Sequence, residues 1–218
     1  MVDRDDVRRA YDEITATYAT ERAATQDEAE TAALESLFDA LPSGCRLLDA
    51  GCGQGTPALE YAVAPSNGTE CEPALAVGLD LSRGQLETAT GLVPDAALCQ
   101  GEMTRLPFAA DTFDAVTALY SLIHVPADDH PAAIESFARV LRPGGRLLLT
   151  EGWAEWTGSN PDWLETGTEM RWSIAGAAAT RDQLESAGFE LVDEGEFRDA
   201  LADEEDARFP FFHARLAE

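Results

Sequence analysis

The residues that bring the most chemistry together run Asp49-Ala50-Gly51-Cys52-Gly53-Gln54-Gly55-Thr56-Pro57. The apolar pair Leu47-Leu48 ahead of them reads as a parallel strand covered on both faces. Glycines at alternate positions allow positive φ and let backbone approach a ligand with no Cβ in between. Thr56 as N-cap and Pro57 at the first helical position predict a helix over 57–64 whose free N–H groups face the turn. Strand, glycine turn and helix in that order make a nucleotide-cofactor site. A dinucleotide fingerprint spaces its glycines G-x-G-x-x-G. Here they fall G-x-G-x-G, with Thr56 where the third glycine would stand. The Asp49 carboxylate beside the turn would repel a pyrophosphate and favour a ligand carrying an ammonium group.

A second acid has the right distance to join this site. Residues 74–80 read as a strand ending in Asp80, 25 residues beyond Gly55, where a carboxylate lies beside the turn and can accept ribose hydroxyl protons. Ser82 and Gln85 form a capping box for a helix over 82–90 that Gly91 stops. A third strand over 95–100 leads to Glu102 and Met103. Residues 113–119 form a fourth, and Tyr120-Ser121-Leu122-Ile123-His124 leaves its carboxyl end, where open α/β sheets bind ligands. His124 is the histidine nearest this chemistry. Its imidazole could take a proton from a substrate hydroxyl or amine, or pack behind the pocket as a structural residue.

The D-x-G-x-G-x-G run resembles motif I of the class I S-adenosylmethionine-dependent methyltransferases. So do Val77-Gly78-Leu79-Asp80-Leu81-Ser82, Leu106-Pro107-Phe108 followed by Asp111-Thr112-Phe113-Asp114, and Arg142-Pro143-Gly144-Gly145 ahead of a fifth strand. Residues 45–150 match in order and spacing. The resemblance implies a three-layer, Rossmann-like α/β fold. Its sheet would have seven strands in the order 3-2-1-4-5-7-6, strand 7 antiparallel, with helices on both faces. It implies S-adenosylmethionine as cofactor, S-adenosylhomocysteine as product, and a small-molecule acceptor methylated by in-line displacement. By the same resemblance Asp49, Ala50, Gly51, Gly53, Leu119 and Tyr120 line the cofactor site. Asp80 and Leu81 hold the ribose, Glu102 meets the adenine amino group in place of the commoner Asp, and Met103 lies against the ring. The helix carrying Tyr11, Tyr18 and Arg22 would close over the cofactor, with Tyr18 and Arg22 touching its methionine end or the substrate and Tyr11 toward the substrate. His124 is the candidate base. Ala118-Leu119-Tyr120-Ser121 stands where amine-methylating relatives carry an Asp-Pro-Pro-Tyr-like tetrapeptide, which argues against a nucleic-acid base as substrate.

The elements that position these residues read as follows. Val7, Tyr11, Ile14 and Tyr18 recur at helical spacing over 3–22, and a second helix over 28–40 buries Leu34, Leu37, Phe38 and Leu41, so that 1–42 form a helical cap. A helix over 128–141 precedes strand five. Trp153, Trp156, Trp163 and Trp172 all fall in 152–175, a substrate lid in which Trp153, Trp156 and Trp172 line an apolar site and Arg171 anchors an anion. Thr180 and Gln183 cap a helix over 180–187, and strands over 189–197 and 209–216 complete the sheet within 180–218.

At 218 residues the chain fits one domain with a core of its own. It carries 41 Asp+Glu and 15 Lys+Arg, for a net charge of −26, and arginine supplies every cation, there being no lysine. That is the habit of a halophile's cytoplasmic protein. The charge argues against nucleic acid, although near 1 M salt the screening length falls to ~3 Å and weakens that argument. Cys45, Cys52, Cys71 and Cys99 are scattered, without metal-ligand or disulfide spacing. No membrane-length apolar run is present, and the expected state is a monomer or homodimer. Two other functions remain open: a non-catalytic protein that binds S-adenosylmethionine or its product, and a nicotinamide oxidoreductase.

Overall fold

The computed structural model describes residues 2–23, 27–63, 73–199, 201–202 and 207–218. Cys71 and parts of the loop after the first βα unit and of the acidic connector near 203–206 lie outside the described residues. Short apolar segments form strands β1 (Arg46–Ala50), β2 (Leu75–Asp80), β3 (Ala97–Gln100), β4 (Phe113–Ala118) and β5 (Leu141–Thr150). Amphipathic segments before and between them form α1 (Arg4–Ala23), α2 (Glu28–Asp39), α3 (Ala58–Val63), α4 (Arg83–Leu92) and α5 (His130–Val140). Beyond β5 come β6 (Trp156–Asn160), β7 (Met170–Ile174), α6 (Ala177–Ser186), β8 (Phe189–Arg198) and β9 (Arg208–Leu216).

The main sheet runs β3-β2-β1-β4-β5-β9-β8. The β1–β5 pairs are parallel, and β9 is antiparallel to both β5 and β8. With β6 and β7 set aside as a separate antiparallel pair, this is the strand order expected from the resemblance. Strand alternation sends Leu48 and Val116 to a core shared with Ile134, Phe137 and Leu184 of α5 and α6. Leu47 and Ala115 turn to the other face, against Leu34, Phe38, Leu59 and Leu86 of α2, α3 and α4. Both faces are therefore covered by helices, and the exposed carboxyl ends of β1, β2 and β4 are left to make a site.

Local structure departs from expectation in four places. Helix α3 starts at Ala58, with Pro57 in the turn before it. Ser82 accepts the Gln85 N–H at 3.1 Å, but the Gln85 side chain does not reach back, so only half the capping box forms. Arg142–Gly145 bulge out of β5: Phe113 pairs with Leu141 and Ala115 already with Arg146, Gly144 taking φ +77°. Helix α6 begins three residues before Thr180, which is fully buried inside it and donates back to the Gly176 carbonyl. The Ala177 N–H donates to the Trp153 carbonyl at 3.2 Å, and the residues just ahead of the helix are held by Glu151 at the end of β5. Its carboxylate accepts the N–H groups of Gly152, Ala175 and Gly176 at 2.6, 3.1 and 3.2 Å. The same three bonds tie down both ends of the β6–β7 insertion.

Gly51 (φ +82°) shows why the turn needs glycine: a Cβ there would sit 2.3 Å from Ser121 Cβ. Gly44 has φ +73° with open space around it. Gly51→Ala should therefore lose about 2 kcal/mol more than Gly44→Ala in chemical denaturation, since both carry the left-handed backbone cost and only Gly51 adds overpacking. Equal losses would show that the Ser121 contact relaxes freely.

Candidate cofactor and acceptor site

A cavity of about 840 Å³, counted with the solvent that opens into it, lies over the carboxyl ends of β1, β2 and β4. Its floor is the glycine turn. The Gly51 and Cys52 N–H groups donate to the Leu79 carbonyl at 2.7 and 3.0 Å, and Gly55 donates to Cys52 at 2.8 Å. Gly53 donates to Asp80 Oδ2 at 2.8 Å, while Asp80 Oδ1 accepts the Ser82 N–H at 2.8 Å. One carboxylate thus fastens the turn to the end of β2. Removal from water raises the Asp80 pKa to about 6, the two N–H bonds opposing that shift.

Helix α1 forms the roof. Asp12 Oδ1 accepts from Ser82 Oγ at 2.7 Å and from the Gly84 N–H at 3.0 Å. Arg4 pairs with Glu102 at 2.7 Å and Asp129 at 2.5 Å. At the other end buried Arg22 pairs with Asp199 at 3.2 Å and lies 4.2 Å over the Tyr120 ring. Nearby charges and hydrogen bonds raise its pKa further against the effect of burial. Tyr18 accepts from Arg22 Nε at 3.4 Å.

Of the residues singled out from sequence, Tyr11, Tyr18, Arg22, Gly51, Gly53, Asp80, Leu81, Glu102, Met103, Leu119, Tyr120 and His124 converge on this cavity. Asp49 and Ala50 do not line it. Asp49 sits beneath the turn and accepts from Thr117 Oγ1 at 2.7 Å, and burial pushes its pKa up to about 7. Ala50 is buried, its carbonyl taken by Ser121 Oγ at 2.8 Å. The tryptophan-rich segment is the β6–β7 hairpin, and it divides. Trp153 and Trp156 are half exposed, at 50% and 49%, outside the cavity wall. Trp163 is buried against Tyr11 and Tyr18, and Trp172, expected to line the site, lies 5.9 Å from His124, behind that residue; neither is among the residues lining the cavity. The Arg171 guanidinium pairs with Glu169, so its charge is spent on the hairpin surface, while its carbonyl reaches His124 Nδ1 at 3.0 Å.

Arg4 and Gln85 are among the wall residues that no cofactor motif named. Arg4 fixes Glu102, a contact across 98 residues that no local pattern announces. Gln85 is buried beside Gly53 and lines the cavity, yet its Oε1 and Nε2 have no hydrogen-bond partner among the described residues. An unpaired buried amide is costly unless a ligand completes it. The signal available was position: Gln85 lies in the first turn of α4, close after Asp80.

A sheet of this order, with a glycine turn after β1 and an acid closing β2, is the class I methyltransferase architecture. Residues 48–149 match a family model described as a methyltransferase domain. Over 140 residues the chain is 38% identical to 27-O-demethylrifamycin SV methyltransferase of Amycolatopsis mediterranei, an alignment covering 61% of this chain and 48% of that one. The chain spans about half the length of this and other curated relatives. Among solved structures, magnesium protoporphyrin IX methyltransferase from Synechocystis PCC 6803 with bound S-adenosylhomocysteine superposes with TM-score 0.71 at 17% identity, covering 98% of this chain and 99% of that one. The [4+2]-cyclase SpnF superposes with TM-score 0.72 at 23% identity, covering 97% and 95%. These two likenesses establish the fold.

The buried acid beneath the turn leads to a pH prediction. Asp49 titrates near 7 in the folded chain and near ~4 unfolded. Its contribution to stability is therefore fully present below about pH 4 and lost as pH rises through about 7. Asparagine cannot ionise, so the melting temperature of Asp49→Asn relative to wild type should rise between pH 5 and pH 8. A difference that stays flat would mean Asp49 titrates as an exposed carboxylate.

Proposed function

We propose that this chain is an S-adenosylmethionine-dependent methyltransferase acting on a small-molecule acceptor by in-line displacement. The observation that carries the reading is the convergence on one cavity of the glycine turn, Asp80 and a buried Gln85 amide with no hydrogen-bond partner among the described residues. A cofactor bearing ribose hydroxyls, an adenine and an amino-acid end would meet each of these. The lone pairs Asp80 has left, together with Gln85, suit the hydroxyls. Met103 offers an apolar face to the base, and Glu102 keeps Oε1 for its amino edge while Arg4 holds Oε2. Tyr18 and Arg22 suit the amino-acid end. Asp49, below the turn, adds negative potential to a site meant for a cation rather than a direct contact.

When bound, S-adenosylmethionine supplies a methyl group already activated by its positive sulfur. What remains for the chain is to align the acceptor and exclude water, which α1 and the Trp163–Trp172 side of the hairpin are placed to do. The relatives' names point to small, largely apolar acceptors, and the aromatic wall around Tyr11 fits such a molecule. We further read residues 1–218 as one domain, of a protein that works as a monomer or homodimer in a salt-rich cytoplasm. Its acidic, lysine-free composition supports that setting. No helix among the described residues is long and apolar enough to cross a membrane.

Calorimetric titration in molar KCl with S-adenosylmethionine, S-adenosylhomocysteine and NADH tests the reading. The first two should bind and NADH should not; binding of NADH alone would overturn it. Asp80→Ala should weaken the S-adenosyl ligands by roughly 2 kcal/mol, the scale of hydrogen bonds to a charged group. The likeness to SpnF, a cyclase on this fold, makes release of S-adenosylhomocysteine from supplied S-adenosylmethionine the readout that separates methyl transfer from other uses of the cavity.

A further inference from the structure

Tyr11 of α1 and His124 meet on the cavity wall, phenol oxygen to Nε2 at 2.9 Å. The other ring nitrogen, Nδ1, lies 3.0 Å from the Arg171 carbonyl oxygen. A carbonyl only accepts, so Nδ1 carries the ring proton. Burial lowers the imidazole pKa to about 4, so at neutral pH Nε2 is bare and accepts the Tyr11 proton. A phenol has one proton, and this one is committed. Edge contacts from the Tyr18 and Trp163 rings, at 5.3 and 5.9 Å, hold the Tyr11 ring in place. What Tyr11 presents to the cavity is therefore oxygen lone pairs alone. A partner must bring its own proton: an ether oxygen or a carboxylate there would set lone pair against lone pair.

We propose that Tyr11 recognises the acceptor by accepting a hydrogen bond from its O–H or N–H group, and that His124 is a positioning residue that aims the Tyr11 proton away from the cavity. The inference rests on the methyltransferase reading and narrows it to acceptors that still carry a proton on the atom to be methylated. The arrangement also gives that proton a way out. As the acceptor's O–H or N–H bond breaks, its proton passes to the Tyr11 oxygen and Tyr11's own proton passes to Nε2. The electron pair stays on the acceptor atom, Tyr11 ends neutral and His124 ends protonated.

The test is a pair of probes on protein saturated with S-adenosylhomocysteine: phenol, which donates, and anisole, its methyl ether, which does not. Dissociation constants come from ligand-observed NMR titration in molar KCl. The anisole-to-phenol ratio of dissociation constants should be about fivefold higher in wild type than in Tyr11→Phe, the size of one neutral hydrogen bond. His124→Phe keeps a ring beside Trp172 but frees the Tyr11 proton to turn inward and serve anisole. Its ratio should fall as well, an effect that loss of packing would not give, and either variant suffices if the other fails to fold. A ratio equal in wild type and Tyr11→Phe, or no binding of either probe to the saturated wild type, would overturn the inference while leaving the cofactor reading intact. Failure of S-adenosylhomocysteine itself to bind would instead overturn the cofactor reading, and this inference with it.

Discussion

The site hangs on one carboxylate. Asp80 accepts the Gly53 N–H with one oxygen and the Ser82 N–H with the other, joining the loop after β1 to the loop after β2. Without that bridge the glycine turn, whose Gly51, Gly53 and Gly55 all take positive φ, would lose the bond that selects its conformation. The bridge has a cost, visible in a pKa raised to about 6: a carboxylate is held out of water, its charge met by backbone N–H groups. A ligand that donates hydroxyl protons and carries positive charge removes that cost. Binding and the local order of the turn are in this sense one equilibrium.

Helix α1 depends on the same corner. Asp12 closes on Ser82 and Gly84, immediately beyond Asp80, and Arg4 closes on Glu102 at the end of the neighbouring strand. In a chain with 41 acidic residues and 15 arginines, several of those few cations are placed at the roof rather than spread over the surface. Contacts of this kind are polar, partly solvated and individually weak, so the roof is held by their number and by the aromatic cluster of Tyr11, Tyr18, Trp163 and Trp172 beneath it. A wall held in that way can open for a ligand without disturbing the sheet.

The contrast between what was legible in sequence and what was not follows from range. Strand order, the glycine turn and Asp80 are readable because the determinants lie within a few residues or at a fixed spacing along the βα units. Asp49 matches the motif by position but lies under the turn, since strand alternation sends its side chain to Thr117 rather than to the cavity. The start of α6 is hidden because the residues just ahead of it are held by Glu151, 24 residues before Ala175. The tryptophans share one segment, yet the hairpin sorts Trp163 inward and Trp153 and Trp156 outward, a partition no composition can show. The Tyr11–His124 pair spans 113 residues: each member stands out alone, but which of them faces an acceptor follows only from the Arg171 carbonyl.

Amide hydrogen exchange with and without S-adenosylhomocysteine tests most directly whether α1 and the Asp80 corner are walls of one site. Protection should rise together in 4–23, in 51–55 and in 80–85, because the ligand closes the roof and the turn at once. Protection of the turn alone, with α1 exchanging as fast as in the free protein, would contradict the roof assigned to α1.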